Sequence, residues 1–94
     1  MNLTDFKTSL QAARPPENMS VYLEALWYDA KGDWDKAHHL VDSLEDKQSC
    51  WVHAYLHRKE GDNGNAGYWY RKAGKQVPSY PLEKEWEEIA TAFL

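Results

Sequence analysis

Two histidines spaced one helical turn apart are the residues best suited to chemistry in this sequence. His53 and His57 occur in the run HAYLHRKE, which ends at Glu60. On a helix, residues four apart share a face, and Glu60 continues that face seven residues after His53. Two imidazoles and a carboxylate can hold zinc or another divalent metal. His53, His57 and Glu60 are therefore candidate metal ligands, with buried structural histidines as the alternative interpretation.

No catalytic motif accompanies this pair. The sequence lacks a Walker loop, a Gly-x-Ser-x-Gly elbow, a paired-cysteine motif and a His-Glu-x-x-His helix. We therefore predict no catalytic residues and no cofactor, and we expect the chain not to be an enzyme. The single cysteine, Cys50, cannot form an internal disulfide, and the first residues do not resemble a secretory signal. Both observations favour a cytoplasmic location.

Charge and hydropathy exclude two classes of partner. The net charge is −4 and the basic residues are scattered, whereas a nucleic-acid binder needs clustered Lys and Arg. The longest apolar run is far shorter than the ~20 residues that span a bilayer. We therefore expect neither a nucleic-acid nor a membrane partner. Five Trp and six Tyr in 94 residues supply large buried areas for a small core.

Helix-breaking residues divide the chain into amphipathic segments with helical periodicity and no strand-like alternation. The pattern predicts an all-α fold of two helical hairpins, at about 17–46 and 49–76, between an N-terminal helix and a C-terminal capping helix, all in one domain spanning 1–94. Thr4 is the expected cap of the first helix and Ser49 that of the fourth. The first predicted helix begins at Leu3 and is ended by Pro15. The next four are expected at 17–31, 34–44, 50–60 and 66–73, and the last begins at Pro81.

An internal repeat relates the two hairpins. The turn Gly32-Asp33 followed by Ala37 matches Gly61-Asp62 followed by Ala66, at an offset of 29 residues. The same offset pairs Ala25 with Ala54 and Tyr22 with Trp51. Matches on both sides of the turn indicate two copies of one helix-turn-helix unit.

These residues resemble tetratricopeptide (TPR) or Sel1-like repeats, in which a Gly-Asp-aromatic turn precedes an Ala in the second helix. The resemblance covers about residues 19–78 and implies an α–α superhelix whose first helices line a peptide-binding groove. The chain departs from the family in its spacing, 29 residues instead of about 34. It also has Asn63-Gly64 where an aromatic residue is usual, so we expect the fifth helix to begin late.

The repeat also predicts a shared surface. At the 29-residue offset, Glu24 is equivalent to His53, and Tyr28 to His57. If the first helices stack side by side, these four residues converge. The predicted binding residues are Tyr22, Glu24, Tyr28, Trp51, His53 and His57, with Asp29 and Arg58 expected to pair beside them. The alternative is that Tyr28 and His57 are core residues.

The leading functional interpretation is a non-enzymatic module that binds a protein or peptide partner, an inference by analogy from the fold. The alternative is a small-molecule or metal-binding protein, or an enzyme, that uses Glu24, Tyr28, His53 and His57. A third interpretation is a homo-oligomer formed through the last helix, which ends in Phe93. His38 and His39 are expected to be surface residues without a special role.

Overall fold

A computed structural model describes residues 1–94, which form six helices and no strand. The helices are α1 (Leu3–Ser9), α2 (Val21–Ala30), α3 (Trp34–Val41), α4 (Lys47–Glu60), α5 (Asn63–Ala73) and α6 (Leu82–Phe93). The predicted all-α fold class is therefore confirmed. None of the six helices combines the length and the apolar character that crossing a membrane requires.

Two helical hairpins lie side by side. The most extensive contacts join α2 to α3 and α4 to α5, while α3 also packs against α4. Helix α6 packs across α2 and α4, and α1 contacts α6. The hairpins agree with the predicted architecture, whereas a relationship to tetratricopeptide repeats stays a prediction.

The repeated Gly-Asp pair makes the same turn in both hairpins. Gly32 and Gly61 have φ angles of +88° and +87°, in the left-handed region that glycine adopts without steric cost. Asp33 and Asp62 then cap the following helices by accepting hydrogen bonds from backbone amides three residues later. Both copies of the repeated sequence therefore form the same turn, in which a glycine ends one helix and an aspartate begins the next.

Two predicted helix starts on the hairpins' first helices are wrong, because other side chains make the caps. Helix α2 begins at Val21 and not at residue 17, since Ser20 caps it by accepting from the Leu23 amide. Helix α4 begins at Lys47 and not at Cys50. Its cap is Asp46, which accepts from the Ser49 amide at 3.0 Å. Ser49 itself lies inside the helix and is buried.

Three further predictions of helix caps and helix ends are wrong. Asn2 caps α1 by accepting from the Asp5 amide, a role predicted for Thr4. Helix α5 begins at Asn63, three residues before the predicted start. Amides of the first turn need no acceptor within the helix, so Gly64 at this position does not delay the start. Helix α3 ends at Val41, before the predicted residue 44.

Helix α4 is the centre of the protein. Every residue from Ser49 to His57 is buried, because α2, α3, α5 and α6 surround the helix. A helix buried on all sides must bury its polar residues too, and these then need partners inside the protein. His53 and His57 are buried for this reason.

The buried carboxylate of Glu85 connects α6 to the second hairpin through hydrogen bonds and an ion pair. Glu85 is completely buried and accepts hydrogen bonds from the Tyr70 hydroxyl at 2.7 Å and from Trp51 Nε1 at 3.2 Å. The Arg58 guanidinium lies 2.9 Å from the same carboxylate and also donates to the Tyr80 carbonyl. Burial and the bond to Glu85 raise the pKa of Tyr70 well above its ordinary value. Tyr70 therefore remains a hydrogen-bond donor at any ordinary pH.

The predicted pairing of Asp29 with Arg58 is wrong. Asp29 is buried and accepts from the Tyr55 hydroxyl at 3.1 Å and from Lys59 Nζ at 2.9 Å. Arg58 turns away from α2 because Glu85 on α6 offers it a fully buried partner.

Replacing Glu85 should destabilise the fold strongly. Glu85→Ala leaves Arg58, Tyr70 and Trp51 without their shared acceptor, and we expect the free energy of unfolding to fall by about 3 kcal/mol. Urea unfolding followed by circular dichroism measures this change. The matched control is Glu83→Ala, which removes an exposed carboxylate from the same helix and should cost less than about 1 kcal/mol. Equal unfolding midpoints for the two variants would contradict the structural role of Glu85.

Candidate functional site

Three imidazoles meet between α3 and α4. His53 and His57 stack on each other with ring centroids 4.8 Å apart, and the His38 ring stands edge-on to both, at 4.7 and 5.1 Å. The Nε2 atoms of His38 and His53 are 3.0 Å apart. One ligand nitrogen from each residue lies within 4.8 Å of the other two. We call His38, His53 and His57 the histidine triad.

Tryptophan side chains hold the triad in place. The Trp34 indole donates a hydrogen bond of 2.8 Å to the Leu56 carbonyl, which anchors the start of α3 on α4. His38 lies one helical turn later, and its ring stacks on Trp34 at 4.8 Å with nearly parallel planes. On the other side, Trp69 of α5 stacks on His53 at 3.9 Å. Helices α3, α4 and α5 therefore all contribute to the geometry of the triad.

The surroundings favour neutral imidazoles. Only 3% of His53 and 7% of His57 is exposed. Burial, followed by the proximity of His38 and His57, lowers the pKa of His53 to about 4. Burial also lowers the pKa of His38, and the neighbouring His57 adds to this effect. Neutral rings have the free lone pairs that metal binding requires.

Carboxylates occupy the opposite edges of two rings. Glu60 Oε1 lies 2.6 Å from His57 Nδ1, and Asp42 Oδ2 lies 3.9 Å from His38 Nδ1. A carboxylate at Nδ1 favours the tautomer that has its proton on Nδ1 and its lone pair on Nε2. Glu60, at 2.6 Å, therefore favours the His57 tautomer that presents Nε2, whereas Asp42, at 3.9 Å, is too far for a hydrogen bond and only adds negative charge near His38. This carboxylate–imidazole arrangement is common around metal-binding histidines.

One nitrogen of the triad has no hydrogen-bond partner. His53 Nδ1 is buried and unpaired. Buried polar atoms in native proteins are almost always satisfied by protein, water or an ion, so an unpaired atom calls for an explanation. The unpaired atom is Nδ1, whereas Nε2 of the same ring is hydrogen-bonded to His38 Nε2.

The size of the triad suits a transition metal. Zinc binds imidazole nitrogens at 2.0–2.1 Å, which places two tetrahedral ligands about 3.4 Å apart. The 3.0 Å separation between His38 and His53 is already close to this value. The widest separation is at most 4.8 Å, so binding one ion draws the ligand nitrogens together by up to about 1.4 Å.

The structure brings together His53 and His57, two of the three predicted metal ligands. Glu60 lies against His57 and not in the triad, so it orients one ring from behind. A second set of potential ligands comprises His57, Glu60 and Asp62. In that set Asp62 is already engaged as the cap of α5, so the triad is the better candidate site.

His38 is the residue that the sequence analysis missed. Its prediction as a surface residue without a role is wrong, because it packs against Trp34, His53 and His57. A hint existed in the sequence: residues 34, 38 and 41 share one face of a helix, and Trp34 and Val41 are both apolar. His39 points to solvent, as predicted.

The other predicted binding residues lie elsewhere. Tyr28 has the Lys36 ammonium over its ring at 4.8 Å, and no hydrogen bond, ion pair or ring contact joins Tyr28 or Glu24 to the triad.

Tyr22 and Trp51 do lie near each other, but the end of α6 covers them. The Phe93 ring contacts both, at 4.9 and 5.9 Å. Phe93, which was expected to support self-association, thus packs within the chain, and a homo-oligomer stays a prediction.

In comparisons with known proteins, no family model, no curated protein and no solved structure matches this chain.

The metal-free protein should lose stability in mild acid. An unfolded histidine titrates at about 6.5, whereas folded His53 titrates at about 4. Between these values the unfolded state binds more protons, so the stabilisation is present above pH 6.5 and is lost as the pH falls. We expect His53 to contribute a loss of about 2 kcal/mol between pH 7 and pH 5.

Urea unfolding in a chelator at pH 7, 6 and 5 measures this loss, and His53→Gln should flatten the pH dependence. An NMR titration of the wild-type protein tests the cause directly. A His53 pKa above 6 would refute the explanation.

Proposed function

We propose that this protein binds a divalent transition metal ion, with zinc as the best match, through Nε2 of His38, His53 and His57. The observation that carries the proposal is the convergence of three largely buried imidazoles whose ligand nitrogens lie within 4.8 Å of one another. A core that needed only packing would be expected to contain apolar side chains at these positions, since buried polar groups carry a desolvation cost.

The electrostatics around the triad support this proposal. At pH 7 a metal does not compete with formation of the imidazolium ions of His53 and His38, because their pKa values are lowered. The proton of the His38–His53 hydrogen bond moves to Nδ1 of its ring when both Nε2 atoms bind the metal. Glu60 and Asp42 lie at the Nδ1 edges and partly balance the charge of a dication. Such carboxylates also make the imidazoles more basic and thus better ligands.

The ligand chemistry narrows the choice of ion. Three nitrogen ligands suit zinc, copper, nickel or cobalt, whereas magnesium and calcium prefer oxygen. The only thiol, Cys50, is buried elsewhere in α4, with its sulfur 3.6 Å from the Glu45 carbonyl. Zinc fits the small cluster without demanding a planar or octahedral arrangement.

Zinc should raise the melting temperature of the purified protein. At a free concentration about 100 times Kd, binding stabilises the folded state by about 2.7 kcal/mol. For a chain of this size that is a rise of roughly 10–20 °C in Tm. His38→Asn should abolish the rise, and Glu60→Gln should weaken zinc affinity by about 10–100-fold in isothermal titration calorimetry.

His39→Asn is the matched control for His38→Asn, because it changes the adjacent, exposed histidine of the same helix. It should retain the zinc-dependent rise in full. A wild-type Tm that no transition metal changes, or a zinc response that survives His38→Asn, would refute the proposal.

A second candidate function is the peptide-binding role expected from the repeat resemblance, and a groove between α1 and α6 favours it. The groove has a volume of about 440 Å³, and its floor includes Leu10, Leu82 and Trp86. The ion pairs Lys7–Glu87 and Lys59–Asp29 lie at its rim, where Glu83 has no ionic partner. We propose that a peptide segment with an apolar side chain beside a Lys or Arg fits this groove.

Selection of a random peptide library against the protein tests this role. We expect enriched peptides to combine a large apolar residue with a basic neighbour, and Glu83→Lys to weaken their binding by about fivefold, as loss of one surface ion pair predicts. Glu17→Lys makes the same charge change at an exposed position outside the groove and is the control. Peptides that bind both variants equally would argue against the groove.

A further inference from the structure

The number of ligands in the triad determines what a bound metal could do. Structural zinc sites have four protein ligands, whereas sites with three protein ligands hold water or another exchangeable ligand in the fourth position. The triad contains three imidazoles, and no Cys, Asp or Glu belongs to the same ligand set. Asp42 and Glu60 lie at the Nδ1 edges of their histidines, on the side away from a metal at Nε2.

One side of the triad is open to solvent. His53 and His57 are at least 90% buried, whereas 26% of the His38 side chain is exposed. The Trp34 ring stacks on His38, and the Trp69 ring stacks on His53. His38 is therefore the member of the triad that a small molecule would reach first.

Charge near this opening favours an anion. Three imidazole ligands add no negative charge, so a bound dication keeps a net positive charge that Glu60 and Asp42 balance only in part. Lys72 Nζ lies 4.9 Å from the Trp69 ring centroid and adds positive charge on the same side, although Glu45 Oε1 lies 3.8 Å from this ammonium. The negative groups that face the triad are Asp35, Asp42 and Glu60, and Glu60 is engaged with an imidazole nitrogen of His57. A bound metal ion would thus be the nearest positive charge without a carboxylate partner that an incoming ligand meets.

We propose that the metal held by the histidine triad keeps one coordination position open beside His38, and that this position binds a small oxygen-donor anion such as a carboxylate. The inference rests on the proposed metal binding and goes further, because it assigns the site to the exchangeable class of metal centres. A bound water in this position would be acidified and replaceable by such an anion.

Cobalt substitution separates the two proposals. Co²⁺ has visible absorption bands that depend on its coordination number and ligands, so it reports metal binding and ligand exchange independently. We expect Co²⁺ to bind the wild-type protein, and acetate to change the visible spectrum in a saturable manner. Perchlorate at the same ionic strength does not coordinate and should leave the spectrum unchanged.

Each outcome decides one proposal. If Co²⁺ binds and acetate leaves the spectrum unchanged up to high concentration, the fourth position is closed and this inference is wrong, while metal binding stands. If Co²⁺ does not bind, the proposed function fails and the open position fails with it.

A charge variant tests the role of Lys72. We expect Lys72→Gln to weaken acetate affinity by about threefold, within the range for one partly exposed charge, and to leave Co²⁺ affinity unchanged. Lys75→Gln is the matched control, because Lys75 lies over Trp51 near the end of α6 and away from the triad. An equal effect of both substitutions would assign the change to net charge and remove Lys72 from the site.

Discussion

The buried carboxylate of Glu85 is the interaction on which the arrangement of the helices depends. It joins α6 to α4 and α5 through Arg58, Trp51 and Tyr70, and each of these partners would otherwise bury an unsatisfied polar group. With α6 fixed in this position, α4 is surrounded on all sides. The histidines of α4 are covered by His38 and Trp34 of α3 and by Trp69 of α5, and this burial lowers the pKa values of His53 and His38.

The triad in turn shows how a small protein can create a polar site inside its core. Its rings are positioned by stacking on indoles rather than by a dense hydrogen-bond network, as Trp34 and Trp69 illustrate. Aromatic stacking fixes the plane of a ring and leaves its nitrogens free. Rings positioned in this way are pre-organised, which a metal site requires before the metal arrives.

Much of the fold could be predicted from the sequence, because helices and turns are determined largely by residues that are close together in the chain. Helical periodicity and the repeated Gly-Asp turn gave the hairpins, and the spacing of His53 and His57 placed both on one face. Partners between helices could not be found in this way. His38 joins the triad only because Trp34 anchors α3 on α4, and Arg58 pairs with Glu85 because α6 offers a buried acceptor. One clue was present: Glu85 falls on the apolar face of α6, three residues after Leu82 and four before Ile89.

The repeat also explains why the chain has a single triad. His38 belongs to the first hairpin, whereas His53 and His57 belong to the second, so the cluster lies at the junction between two repeats. At the 29-residue offset, Glu24, Tyr28 and Gly67 replace the three histidines, and neither copy could form the cluster alone. Two tandem units create one junction. A site at such a junction requires both hairpins, and its histidines occupy positions that leave the Gly-Asp turn of each hairpin unchanged.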